Sequence, residues 1–253
     1  MKNVIFQFYV PFNGIGKNIL KDHFPDKMPD WARYSTEYFR EYAKRHDADY
    51  YFFNERFVNS TSNFFEICRL YKDKLFDNYD KLLYCDVDVM PKNMDMNVFD
   101  IDIVDVAGWS EWRHPDVIMP INWSAGGGLA QRFADFGAPI VNSKNGIRMI
   151  NSGVMLWSKE ARLKARENFI DHEKYFHHKN ALLDPIWTHH GHSSHCLDQP
   201  FLNCNWNKLK FDVKELDIIW NRFPTKDENR ECVFAHYVGE HRFNIPKMFK
   251  EMN

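Results

Sequence analysis

The chain has 253 residues, enough for one large domain or two small ones with a substantial buried core. Its 33 Lys and Arg against 35 Asp and Glu leave a formal charge of -2, which argues against a general nucleic-acid or membrane-surface binder. Five cysteines (Cys68, Cys85, Cys196, Cys204 and Cys232) are scattered, odd in number and without a C-x-x-C pair, which favours reduced thiols. No apolar run reaches the roughly 18 residues of a membrane span, and no signal peptide precedes the first strand. A soluble cytoplasmic protein is expected, with no integral membrane segment. Aromatic residues make up 16% of the chain, and most of them must form core.

Val4 to Val10 reads as a buried strand, followed by the turn Pro11-Phe12-Asn13-Gly14-Ile15-Gly16. Gly14 and Gly16 resemble the start of a dinucleotide fingerprint. The third glycine position holds Ile19, however, and Asn54 stands where an acidic residue would hold a ribose, so NAD or FAD binding is rejected. Asp30 reads as the N-cap of a helix ending near His46, with Trp31, Tyr34, Tyr38 and Tyr42 on its apolar face. Ala48 to Phe53 reads as a second strand. A further helix is expected from about Asn63, with Glu66 as capping-box partner and Phe64, Cys68, Tyr71 and Leu75 as its stripe.

The apolar run Leu82 to Cys85 forms a third strand, and Asp105 to Gly108 belongs to another. This β-α-β-α-β order predicts an α/β fold with a parallel, Rossmann-like sheet over about residues 1–108. From Gly108 to about Arg148 the chain turns rich in Gly, Pro and Trp, as expected of an insertion carrying specificity loops. Trp109, Trp112 and Trp123 offer aromatic faces there that can stack on sugars, although core packing is the ordinary role of a Trp. The six histidines between His177 and His195 fit no structural zinc spacing, and are read as a loop on the acceptor side.

The most informative stretch is Cys85-Asp86-Val87-Asp88-Val89. If the chain stays extended, Asp86 and Asp88 point to the same side. Two carboxylates at the C-terminal end of a strand can hold a divalent cation and leave positions open for phosphate oxygens. A surface turn with two solvated aspartates is the ordinary alternative. Three later segments are similarly ambiguous when read alone. Asn151-Ser152-Gly153 opens an apolar strand. Asp198-Gln199 stands at a helix start, where Asp198 can be a simple cap. His236, Gly239 and Arg242 follow a short strand, where His236 can be a satisfied core histidine or a metal ligand, and Arg242 a phosphate clamp.

Taken in order, D-x-D, N-[SA]-G-V, D-Q-x-x-L-N and H-Y-x-G-x-x-[KR] resemble the GT-A-fold nucleotide-sugar glycosyltransferases of family 8, which include glycogenin and bacterial lipopolysaccharide galactosyl- and glucosyltransferases. The resemblance runs from Val4 to about Phe243. It implies one GT-A domain over residues 1–253, with a nucleotide-binding half to about 108 and a donor-sugar and acceptor half from about 109. It implies that Asp86, Asp88 and His236 ligate Mn²⁺, with Mg²⁺ as a substitute, and that the donor is a UDP-sugar, UDP-glucose or UDP-galactose. By the same resemblance Tyr9 lies near the base, Arg242 and Gly239 near the diphosphate, and Arg69 near the donor sugar. Asn151 and Gly153 lie beside the sugar, while Asp198 and Gln199 face its hydroxyls and reacting carbon. The implied reaction moves a hexose to a glycan or other hydroxyl acceptor with retention. Arg242-Phe243 replaces the family's Lys-Pro, and Val87 its usual small residue. Two alternatives compete: a haloacid-dehalogenase-type phosphatase, which also carries D-x-D after an apolar strand, and a non-catalytic carbohydrate- or nucleotide-binding module.

Overall fold

The computed structural model describes residues 1–11, 27–60, 62–110, 128–143, 146–178, 198–224 and 231–246. The turn after the first strand, Trp112, Trp123, Cys196 and the histidines from 189 to 195 lie outside the described residues. The first half alternates strands and helices. β1 (Asn3–Phe8) leads to α1 (Asp30–Arg45) and β2 (Ala48–Phe53). A 3₁₀ turn over Asn63–Cys68 runs into the short α2 (Arg69–Lys72), and β3 (Lys81–Cys85) follows. Next come β4 (Val89–Pro91), β5 (Val106–Ser110) and α3 (Gly128–Asp135). The two-residue strands β6 (Asn142–Ser143) and β7 (Gly146–Ile147) form a small ribbon. The long β8 (Ile150–Ser158), α4 (Lys159–Asn168), α5 (His172–Phe176), α6 (Asp198–Lys208), β9 (Val213–Glu215) and β10 (Phe234–His236) complete the order.

Six strands form the main sheet in the order β2-β1-β3-β8-β5-β9. β2, β1 and β3 are parallel, β8 runs antiparallel to both its neighbours, and β5 and β9 are again parallel to each other. The expected parallel sheet is therefore interrupted: β5 reaches β3 only through the antiparallel β8. All nine residues of β8 are buried, as a central strand covered on both faces requires. One face carries Val4, Phe6, Leu82, Met155 and Trp157 in a core shared with Phe201 and Trp206 of α6. The opposite face carries Ile5, Leu83, Val154 and Leu156, packed on Phe39 and Tyr42 of α1. The alternation along β1 is the pleat itself.

The local details correct several sequence expectations. Asp30 is the first residue of α1 and not its cap; Pro29 precedes it, and the acid pairs with Arg33 at 3.5 Å. The buried face of α1 is centred on Ala32, Ser35, Phe39 and Ala43 as well as Trp31 and Tyr42, with Tyr34 and Tyr38 at its margin. The helix expected from Asn63 is broken into 3₁₀ and α pieces, capped by Ser62. Glu66 closes no capping box; its carboxylate accepts from the Phe57 and Val58 N–H groups. Leu75 is exposed and Phe65, Ile67 and Leu70 are buried instead, because the broken helix does not keep a 3.6-residue period. Trp109 is fully buried against Phe223 and is core, not a sugar platform. The four described cysteines are all free thiols.

Candidate active site

Asp86 follows the last residue of β3, and the chain does not stay extended through Asp88. Val89 N–H returns to the Asp86 carbonyl at 3.1 Å, so Asp86 to Val89 is a turn. The two carboxylates converge through that turn and not through strand alternation. Its backbone is pinned by a buried polar residue in an otherwise apolar strand. Gln7 donates to the Asp86 carbonyl and to Ser35 Oγ, both at 3.1 Å, and accepts from the Tyr50 hydroxyl at 2.8 Å. Ser35 in turn donates to the Val89 carbonyl at 2.6 Å. Asp86 N–H donates to the Gly153 carbonyl at 2.8 Å, locking the turn to β8. Every hydrogen-bonding group of the Gln7 amide is used, which a fully buried amide requires.

β10 brings the third group. It pairs antiparallel with β4 so that His236 sits opposite Val89, and Tyr237 N–H donates to the Asp88 carbonyl at 2.8 Å. His236 Nε2 consequently lies 3.2 Å from Asp88 Oδ1 and 3.8 Å from Asp86 Oδ2. One ligand atom from each of Asp86, Asp88 and His236 falls within 4.8 Å of the others, the only such triad among the described residues. The Tyr84 hydroxyl donates a short bond to Asp86 Oδ1. Arg242, carried by the 3₁₀ turn Gly239–Asn244, places Nη2 3.1 Å from Asp88 Oδ2 and its guanidinium over the Trp31 ring.

The electrostatics separate the two aspartates. Burial, with the Asp88 charge added, raises Asp86 above the ordinary carboxylate range. Burial also works against the charge on Asp88, but His236 and Arg242 overrule it and hold Asp88 low. Burial opposes a charged imidazole at His236 as well; Asp88 and then Asp86 outweigh it, so His236 is raised. Two carboxylates and an imidazole on one small volume form a donor set that suits a borderline divalent cation.

The triad lies in the wall of a cavity of about 410 Å³ at the ends of β1 and β3. Asn151, Ser152, Asp198 and Gln199 line it as well, and so do Tyr9, Trp31, Asn63 and Phe64. Asp198 and Gln199 open α6. Asn203, one turn on, accepts from Ile150 N–H and donates to the Ile150 carbonyl, both at 2.9 Å, clamping this end of α6 on β8. Burial, followed by the charge of Asp86, pushes the Asp198 carboxyl up to about 7. Asn151 and Gln199 are joined at 3.3 Å.

Most residues singled out from sequence thus surround one cavity, with three qualifications. Gly239 is not among the lining residues and opens the 3₁₀ turn that carries Arg242. Arg69 is absent from its wall: it is buried with Nε on Asp73 at 3.0 Å and its guanidinium over Phe53. Gly153 lies under His236, where a β-carbon would sit 2.2 Å from Cε1. Gln7, Tyr84, Trp31 and Asn221 were not found by sequence reasoning. Only Gln7 had a signal, as an amide between Phe6 and Phe8 in the interior of a strand.

The six-stranded mixed sheet flanked by helices is the GT-A glycosyltransferase architecture. The structure is similar to a glycosyltransferase involved in glycosylation of the major capsid of PBCV-1, with a TM-score of 0.55 and 13% identity over 99% of this chain and 100% of that one. Weaker likenesses include the galactosyltransferase LgtC with donor and acceptor sugar analogues (TM-score 0.48, 13% identity, 98% of this chain and 95% of that one). Mouse xyloside xylosyltransferase 1 is similar at a TM-score of 0.46 and 14% identity, over 95% of this chain and 98% of that one. At such identities the likeness speaks to the fold alone. No protein-family model and no curated protein matches the chain. No helix among the described residues is long and apolar enough to cross a membrane.

Proposed function

We propose that the chain is a divalent-metal-dependent glycosyltransferase of the family 8 type, moving a hexose from a UDP-sugar to a hydroxyl acceptor with retention. The observation that carries this reading is the convergence of Asp86, Asp88 and His236 in the wall of the cavity, which Asn151, Asp198 and Gln199 also line. Asp86, Asp88 and His236 would hold the cation, Mn²⁺ by preference, and the bound ion would supply positive charge to the departing diphosphate.

The chain's own groups have the remaining tasks. Tyr9 and Trp31 meet edge to face at the end of β1, a surface suited to a nucleobase. Arg242 reaches Asp88 with Nη2 at 3.1 Å. Beside the site where a cation would be held, that guanidinium would also meet a phosphate oxygen, a charge-assisted contact of the kind arginine favours. Asp198 and Gln199 face the sugar, where a carboxylate stabilises positive charge growing at the reacting carbon or attacks it as a nucleophile. Among the described residues none stands out as a separate base, which suits a front-face route in which the leaving phosphate takes the acceptor's proton. The half to about residue 108 would bind the nucleotide, and the remainder the sugar and the glycan acceptor. Screening UDP- and GDP-hexoses for Mn²⁺-dependent nucleotide release tests the assignment; release untouched by EDTA would overturn it.

A further inference from the structure

We propose that Asn221 is a positioning residue that fixes the tautomer of His236 and couples it to the amides on the sugar side of the cavity. The proposal rests on the reading that Asp86, Asp88 and His236 hold a divalent cation. Asn221 is fully buried and follows the 3₁₀ turn Ile218–Trp220. The two ends of an amide have the same shape, so its orientation has to come from partners whose role is fixed.

Two peptide N–H groups of β8 supply that. Gly153 N–H donates to the Asn151 side chain at 2.9 Å, so the atom it meets is the oxygen. Ser152 N–H points at the Gln199 side chain at 3.3 Å, which makes that atom an oxygen too, and Asn151 Nδ2 donates to it at 3.3 Å. The Asn151 oxygen also faces Asn221 at 2.8 Å, so Asn221 must present its NH₂ there. The Asn221 oxygen is then left for His236 Nδ1, 2.9 Å away, and an oxygen can only accept. Nδ1 therefore carries the proton. Nε2, the nitrogen that lies between Asp88 and Asp86, is the one that offers a lone pair once the ring is neutral.

A ring free to choose would divide between two tautomers, and only one of them can ligate at the triad. Turning Asn221 over would set its oxygen against the Asn151 oxygen and lose both bonds at once. The chain Gln199–Asn151–Asn221–His236 thus runs in one direction, set by backbone donors that cannot be reversed. Metal-ligating histidines are commonly held through the second nitrogen in this way, and loss of the partner costs about ten- to a hundredfold in metal affinity.

The test uses the full chain, first without metal and then with Mn²⁺ alone. At alkaline pH, long-range ¹H–¹⁵N correlations of His236 should show Nδ1–H in the wild type and also in Asn221→Asp, whose carboxylate still accepts from Nδ1 even though it no longer donates to Asn151. In Asn221→Leu they should show a mixture. Mn²⁺ affinity by calorimetry should fall about ten- to a hundredfold in Asn221→Leu and less in Asn221→Asp, which keeps the acceptor for Nδ1 but loses the donor to the Asn151 oxygen. Nε2–H in the wild type overturns the proposal without any variant, which covers the case of a leucine variant that does not fold. Wild-type Mn²⁺ binding that persists unchanged in Asn221→Leu overturns this proposal alone. Absence of Mn²⁺ binding by the wild type overturns the metal reading, and with it the purpose given to Asn221.

Discussion

Replacing Gly153 by alanine tests how closely the fold aims His236. The backbone at Gly153 is not left-handed, so alanine can adopt it and the effect is one of space. A β-carbon there lies 2.2 Å from His236 Cε1, 2.8 Å from Nδ1 and 3.0 Å from Asn151 Oδ1. Carbon atoms in contact sit about 3.5–4.0 Å apart, so the ring has to retreat by more than about 1 Å. That motion stretches the 2.9 Å bond to Asn221 beyond reach and takes Nε2 from its place 3.2 Å from Asp88. Overpacking of this kind costs about 1–3 kcal/mol, and each kcal/mol lowers Tm by about 2–4 °C in a chain of this size. Gly153→Ala should therefore melt several degrees lower in EDTA and bind Mn²⁺ at least about tenfold more weakly by calorimetry. Removing the ring as well, in Gly153→Ala/His236→Ala, should cancel most of the added instability, since the two changes share one contact. A Gly153→Ala variant with wild-type Tm and Mn²⁺ affinity would refute the packing argument, and so would a loss that the double variant keeps in full.

Arg242→Ala should weaken UDP affinity by roughly ten- to a hundredfold, as expected for a charge-assisted contact, and Arg242→Lys should restore part of it. Because Arg242 lies 3.1 Å from Asp88, a carboxylate that would also hold the cation, the same alanine variant should bind Mn²⁺ at least as tightly as the wild type; unchanged UDP affinity or weaker metal binding would count against this role. Asp198→Asn should lower kcat far more than UDP affinity, since UDP has no sugar to contact; a variant silent in both assays would make Asp198 a helix cap only. The same substitution has a pH signature. Folding raises this carboxyl from about 4 up to about 7, so the folded state favours its protonated form. That contribution to stability is complete below about pH 4 and is lost as pH rises through about 7. Between those limits the Tm of the metal-free wild type should fall relative to that of Asp198→Asn, and parallel Tm profiles would contradict the shift.

The parts of this molecule that local patterning controls could be read from its sequence. Ala48 to Phe53 is a strand to the residue, and the β-α-β-α-β order emerges from apolar runs and one amphipathic helix. Asp86 and Asp88 were legible as a pair from their spacing, and His236 only through the ordered motifs that resemble family 8; the structure brings the three side chains together. The sheet order was not, because the insertion of β8 between β3 and β5 is a long-range pairing that leaves no trace in either strand. Whether the chain turns or stays extended at Asp86 could not be told from sequence, because what bends it lies elsewhere: Gln7, Ser35 and Gly153 each bond to its backbone or fix its ends. Asn221 was invisible for the same reason. Its significance arises from meeting Asn151 and His236 across β8 and β10, and nothing adjacent to it in sequence marks it. Arg69, which the resemblance places near the donor sugar, packs over Phe53 beside Asp73 and is not among the residues that line the cavity.

The central claim is that the triad holds a metal that a UDP-hexose needs in order to react. The most direct measurement is release of UDP from UDP-glucose and UDP-galactose by the full chain, with Mn²⁺ and with EDTA, beside Asp88→Ala checked by circular dichroism. Release should require Mn²⁺, disappear in EDTA and be lost in a folded Asp88→Ala, with a retained anomeric centre in the transferred product by NMR. Equal release with and without metal, or an active Asp88→Ala, would contradict the claim.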